Sequence, residues 1–319
     1  MRSTKSYSKF HLHYGRDPGV EKFLSPPKVI LFDWHATLVD TLDAMYHAVD
    51  EMLPKLGQLG LVERLVSSER SKTVDDARLV AYVLEHRRLH PKIKAARKIS
   101  RTDIFEVLFG DDDDAKHVAH EAFNACYRDH FGEVHPFQGG ERDMLLELRE
   151  FDVGIGVLTN RDREFFEHEL GVIEGGTWQG LFDVAVCGCD TPRRKPAPDP
   201  ILKALADFGV DPGYDCWYVG DSTTDVVSAN RAGITSVFFN GAEWEHEWLE
   251  KIFPGTPAHP HMPGVVVDSF RDFIQLCERC LKISPEQRDE ALSHAHAVMD
   301  FPDARSETNR NGAISQAND

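Results

Sequence analysis

The sequence predicts an α/β fold: a parallel sheet covered by helices on both faces, with a long helical segment inserted after the first strand. Two observations carry this. Short apolar runs alternate with helical repeats from residue 136 onward, whereas residues 41–135 show helical spacing with no strand pattern between. Strands that alternate with helices pair in parallel, because each crossover lays a helix on a face of the sheet.

The elements follow in order. Residues 1–27 are polar and end in Ser25-Pro26-Pro27, which reads as a flexible lead-in. Residues 28–32 (KVILF) form a short apolar run, the expected first buried strand. Leu42, Met45, Val49 and Leu53 then recur at helical spacing, as do Ala77, Val80, Ala81 and Leu84, and later Ala119, Ala122, Phe123 and Cys126. Further strands are expected at 153–158, 184–187, 216–219 and 235–239, with a last short one at 265–267. Helices are expected at 141–149, 164–170, 200–208, 225–232 and 270–281. Residues 282–319 lose apolar content and read as a polar tail, with one short helix at 286–299.

Composition excludes several classes. A hydrophobic fraction of 41% with 28% charged residues belongs to a globular chain rather than a disordered one. No apolar run is long enough for a transmembrane helix, and the N-terminus lacks the apolar stretch of a secretory signal, so a cytoplasmic location is the default expectation. A net charge of -17 argues against nucleic acid as a partner, because phosphate backbones are held by excess Lys and Arg. The six cysteines are few for the length and fit reduced thiols; Cys277 and Cys280, at i, i+3 on an amphipathic helix, read as packing rather than a zinc site. Residues 111–114, four acids in a row, read as a solvated loop before a helix start. Oligomeric state leaves no trace in the pattern.

Four segments place polar residues at or after expected strand ends. They are Asp33 in VILFDWHATLVDT, Thr159 and Asn160 in VLTN, Lys195 in RRKPAPDP, and Asp221 with Asp225 in WYVGDSTTD. Singly, each has a plain structural reading as a turn residue, a solvated lysine or a helix cap. Together they supply a carboxylate nucleophile, a hydroxyl–amide pair, a cation and an acidic pair at one edge of a sheet, where ligands of such sheets bind. That set suits a divalent metal and a phosphoryl group.

On those four motifs, in that order, the chain resembles the haloacid dehalogenase-like hydrolases over roughly residues 28–281. The passage HPFQGGERDMLLELRE resembles the family's return from cap to core. The resemblance implies a Rossmann-like parallel-sheet core (28–40 plus 136–281) with an inserted α-helical cap domain (41–135). It implies that Asp33 attacks phosphorus and forms an aspartyl-phosphate that water hydrolyses, the substrate being a small phosphorylated metabolite. It implies Mg²⁺ held by Asp33, the main-chain carbonyl of His35 and Asp221, with Asp225 a ligand or an outer carboxylate. Thr159, Asn160 and Lys195 would clasp the transferring oxygens, and Arg161 would touch substrate beside the phosphate. His47, on the first helix of the insertion, is a further candidate for the crevice.

Two adjacent positions depart from the family. Its phosphatases usually carry Asp two residues after the nucleophile, then Gly; here those are His35 and Ala36. Histidine can both give and take a proton near neutral pH, so His35 is read as the general acid/base. The same departure opens two alternatives. One is C–P bond cleavage of the phosphonoacetaldehyde hydrolase type, with a cap lysine, Lys55 or Lys72, forming a Schiff base. The other is a degenerate member that only binds phosphate. A metal-free dehalogenase fits the Asp221–Asp225 pair less well.

Overall fold

In the computed structural model, described for residues 12–96, 101–130, 132–257 and 259–282, six strands form one parallel sheet. They are β1 (Val29–Asp33), β4 (Gly154–Leu158), β5 (Val184–Val186), β6 (Cys216–Gly220), β7 (Thr235–Phe239) and β8 (Val265–Val267). Their order is β5-β4-β1-β6-β7-β8, so the chain winds outward both ways from β1. Two short strands, β2 (Val39–Asp40) and β3 (His135–Pro136), pair antiparallel where the chain leaves the sheet and returns.

Residues alternate between the two faces of β1. Ile30 and Phe32 join one apolar cluster with α6 (Glu141–Arg149) and α11 (Phe270–Lys282), while Val29 and Leu31 join another with α8 (Asp199–Phe208) and α9 (Thr223–Ala232). Because both faces are covered, all five residues of β1 are buried, which is why the strand reads as an unbroken apolar run. The helices α7 (Arg163–Val172) and α10 (His246–Ile252) complete the layer order. Cys277 and Cys280 lie buried in α11 as packing residues and form no disulfide.

Between β2 and β3 lie α1 (Leu42–Met52), α2 (Val74–His86), α3 (Pro91–Ala96), α4 (Arg101–Phe109) and α5 (Asp113–Tyr127). They bury an apolar cluster of their own, from Leu42 to Tyr127, to which the sheet layer contributes Phe165 of α7. Asp112, within the acidic run, accepts from the Ala115 amide at 3.0 Å and pairs with Arg64, so it caps α5, in keeping with a run that favours the helix start.

The lead-in differs from expectation. Residues 12–27 pack on the sheet: Tyr14 bridges Val266 of β8, the Gly15 amide donates to the Val266 carbonyl at 2.7 Å, and the Val266 amide donates to His13 at 2.8 Å. Leu12, Val20 and Leu24 are buried, and the Trp217 indole donates to the Ser25 carbonyl at 3.0 Å. The physical reason is that β8 is an edge strand whose backbone groups need partners, and the lead-in supplies them. Its three apolar anchors have no periodic spacing, so they were invisible as a pattern. The expected helix at 286–299 lies outside the described residues.

Candidate active site

The three central strands, β4, β1 and β6, end side by side. Asp33 is the last residue of β1, Thr159 and Asn160 follow β4, and Asp221 follows β6. Parallel pairing in register, with Asp33 opposite Leu158, brings these ends to one edge. Lys195 reaches the same point from the loop between β5 and α8, and Asp225 from the first turn of α9.

Lys195 is the hub. Its Nζ donates to Asp33 Oδ1, Asp225 Oδ1 and the Tyr218 hydroxyl, each at 2.7 Å. Asp33, Lys195 and Asp225 are all buried, and one carboxylate oxygen from each of Asp33, Asp221 and Asp225 lies within 4.8 Å of the others. Asp225 is fully occupied: Oδ1 accepts from Lys195 and from Tyr218 at 2.9 Å, and Oδ2 accepts from the Ser222 amide and hydroxyl. It is at once a capping-box residue of α9 and a counter-ion to Lys195. Gly220 makes room for it, since a Cβ there would stand 2.4 Å from Asp225 Cγ.

Three carboxylates facing one cation produce the expected shifts. Burial pushes the Asp33 carboxyl up to about 6, against the pull of Lys195 and with the repulsion of Asp225. Asp221, which keeps an edge to solvent, is pushed well above the carboxylate range by burial, then by Asp225 and Asp33. Burial alone would lower the Lys195 ammonium, but Asp225 and Asp33 outweigh it and hold the proton more firmly than usual. A second hard cation would relieve this excess negative charge, and the exclusively oxygen donors of Asp33 and Asp221 suit Mg²⁺.

Asn160 points at the protein rather than into an open crevice. Its Oδ1 accepts from the Lys195 amide at 3.0 Å and its Nδ2 donates to the Lys195 carbonyl at 3.1 Å, which clamps the loop that carries the lysine. The buried Thr159 hydroxyl accepts the Arg161 amide at 3.1 Å, leaving its own proton to donate. Arg161 is buried against Glu169 at 3.0 Å and stacks over the Tyr127 ring at 4.7 Å. Its Nη2 also donates to Thr41 and lies 3.4 Å from His35 Nδ1. Glu169 accepts in addition from Tyr127 at 2.6 Å and the Trp34 indole at 2.7 Å, so one buried carboxylate joins α5, α7 and the segment after β1.

Further residues take part in the site. Thr37, fully buried, donates to Asp221 Oδ1 at 3.3 Å. Tyr218 sits inside β6 and reads as core, and Thr41 and Glu169 read as an ordinary helix start and helix polar residue; none carried a signal. Ala36 has φ 60°, a left-handed conformation that favours the Gly expected there. The cap lysines are engaged elsewhere. Lys55 Nζ bonds Cys126 Sγ at 3.1 Å and Lys72 Nζ pairs with Glu106 at 2.8 Å, and those partners raise both ammonium groups above their ordinary range. A Schiff-base lysine needs the opposite shift, which counts against the C–P cleavage alternative.

A parallel α/β core with carboxylates, a lysine and a hydroxyl gathered at the ends of its central strands is the framework of a hydrolase. The family model for haloacid dehalogenase-like hydrolases matches residues 77–239, taking in Thr159, Lys195, Asp221 and Asp225, and the chain belongs to that family. A phosphoglycolate phosphatase of Pseudomonas fluorescens is 28% identical over 79% of this chain and 80% of its own length. Phosphoglycolate phosphatase 1 of Pseudomonas aeruginosa is 27% identical over 84% of this chain and 89% of its own. Among solved structures, one from Lactobacillus plantarum superposes with TM-score 0.55 at 16% identity, covering 78% of this chain and 99% of that chain. β-Phosphoglucomutase from Clostridium difficile gives TM-score 0.50 at 17% identity over 84% and 99%. These two likenesses speak for the fold. No helix among the described residues is long and apolar enough to cross a membrane.

Proposed function

We propose that this chain is a Mg²⁺-dependent phosphatase of small phosphorylated metabolites, working through an aspartyl-phosphate on Asp33, with phosphoglycolate the first substrate to assay. The observation that carries the reading is the buried triple contact of Lys195 with Asp33, Asp225 and Tyr218 beside Asp221, at the ends of adjacent parallel strands. Asp33 and Asp221 would hold the metal, together with the main-chain carbonyl of residue 35. Asp225, with both oxygens committed, acts through Lys195 and α9. When bound, Mg²⁺ would supply the positive charge that lets an anionic substrate approach an anionic nucleophile.

The remaining work falls to the chain. Asp33 forms the bond to phosphorus as the bond to the leaving oxygen breaks, and Lys195 and the Thr159 hydroxyl offset the charge on the transferring oxygens. His35 gives a proton to the leaving oxygen and later takes one from the water that releases phosphate. Its Nδ1 is bonded to Thr41, so exchange with substrate falls to Nε2. The Thr41 hydroxyl can accept from a protonated Nδ1 or donate to a bare one, and therefore fits both charge states of the ring. Arg161, tied to Glu169 and Thr41, holds its charge beside His35.

The test is phosphate release from phosphoglycolate and a panel of phosphorylated metabolites, with and without Mg²⁺. Turnover should require the metal and vanish in Asp33→Asn; turnover that survives either change sinks the proposal, and a wild-type chain inert on every substrate returns the degenerate reading. For His35, replacement by Ala should slow turnover by about 10²–10⁴-fold while His35→Asp restores part of it. Equal rates in His35→Ala and wild type would remove that role.

A further inference from the structure

We propose a second metal site, for a Zn²⁺-type transition ion, built from His47, His130 and Glu133 at the base of the helical insertion, with Glu51 holding the far nitrogen of the His130 ring. His47 and Glu51 stand at i and i+4 on α1, so they share one face of that helix. His130 ends the 3-10 turn Arg128–His130 that follows α5, and Glu133 lies three residues beyond it. The four residues therefore join the first helix of the insertion to the turn that closes it.

Their polar atoms already converge. The Glu133 carboxylate reaches both rings, with Oε2 at 3.2 Å from His47 Nδ1 and Oε1 at 3.5 Å from His130 Nδ1. His130 Nε2 meets Glu51 Oε1 at 3.1 Å, and the two ring centroids are 5.1 Å apart. One ligating atom from each of His47, His130 and Glu133 lies within 4.8 Å of the other two. The His47 side chain is 54% exposed and the His130 side chain 16%, so an ion can enter from solvent and keep water in an open position.

The donor chemistry selects the ion. Two imidazole nitrogens with carboxylate oxygens make the mixed set that Zn²⁺ and its neighbours take, whereas the all-oxygen group around Asp33 suits Mg²⁺. The Glu133 carboxylate, with Glu51 close behind His130, offers the negative charge that a divalent ion balances. Placed there, the ion would staple α1 to the chain returning through β3, close to both crossings between insertion and sheet. That makes it a structural or regulatory ion, separate from the chemistry at Asp33.

The experiment uses the full chain stripped with a chelator and titrated with Co²⁺ as a spectroscopic probe, then with Zn²⁺. Wild type should develop a visible Co²⁺ band from nitrogen-containing, low-coordinate ligation at one equivalent, and Zn²⁺ should displace it. His47→Gln with His130→Gln should abolish the band and weaken Zn²⁺ binding at least tenfold, while Asp221→Asn keeps the band. Zn²⁺ should also raise the thermal midpoint of wild type but not of the double variant. Glu133→Gln, a change at an exposed position, provides a milder variant and should weaken binding about tenfold or more. Wild-type binding in the double variant and in Glu133→Gln, or no band in wild type, overturns the proposal. Neither result depends on phosphatase turnover.

Discussion

Replacing Asp33 with Asn should make the metal-free protein more stable while removing turnover. The site is crowded with negative charge. Burial, against the pull of Lys195 and with the repulsion of Asp225, lifts the Asp33 carboxyl from 3.8 to about 6. A folded-state value above the unfolded one means that folding favours the protonated acid. The associated stability is present below the unfolded value and is lost as pH rises through about 6. A displacement of about two units corresponds to about 3 kcal/mol once the group is fully ionised. Asparagine keeps the shape and carries no charge, so Asp33→Asn should gain up to about 3 kcal/mol at about pH 8 and little at about pH 4. Urea unfolding in a chelating buffer at both pH values reads the difference directly. Added Mg²⁺ should then stabilise wild type more than the variant, because a ligand is missing. A variant less stable than wild type at the higher pH, or a difference that does not change with pH, would refute the account of the site as an overcharged carboxylate cluster.

Other outcomes follow from the same geometry. Lys195→Met leaves two buried carboxylates without their shared cation and should cost about 3–5 kcal/mol at neutral pH as well as turnover, read by the same unfolding curves; an unchanged midpoint would contradict the hub assignment. Ala36→Gly relieves a left-handed backbone at a modest entropic cost, so unfolding should show a net gain of about 0.5–1 kcal/mol. Gly220→Ala drives a methyl into Asp225 and should cost about 1–3 kcal/mol, with Mg²⁺ binding by calorimetry weakened through the displaced α9 turn.

Much of the fold was legible because a sheet covered on both faces leaves a strong one-dimensional trace. The runs at β1, β4, β6 and β7 are mostly apolar since their residues meet a helix layer on either face, and their ends were visible as the polar residues that close each run. The candidate nucleophile and Asp221 were legible for the same reason, each standing at such an end, while Lys195 and Asp225 lie further on, in the loop before α8 and the first turn of α9. The packing of the lead-in leaves no such trace, because Leu12, Val20 and Leu24 are buried at irregular intervals, and irregular anchors make no period.

What the chain's order of residues determined alone was which elements exist and which polar groups arrive at their carboxyl ends. Tertiary structure decided how those groups are used. It assigned Asn160 to clamping the Lys195 loop, saturated Asp225 with Lys195, Tyr218 and Ser222, and tied Trp34, Tyr127, Arg161 and Glu169 into one buried network. The reason is directional. A strand or helix is specified by neighbours in sequence, but a hydrogen bond is specified by where two atoms meet, and 135 positions separate Trp34 from Glu169. Only the folded chain brings such pairs within about 3 Å, the distance at which a charge or a proton is governed.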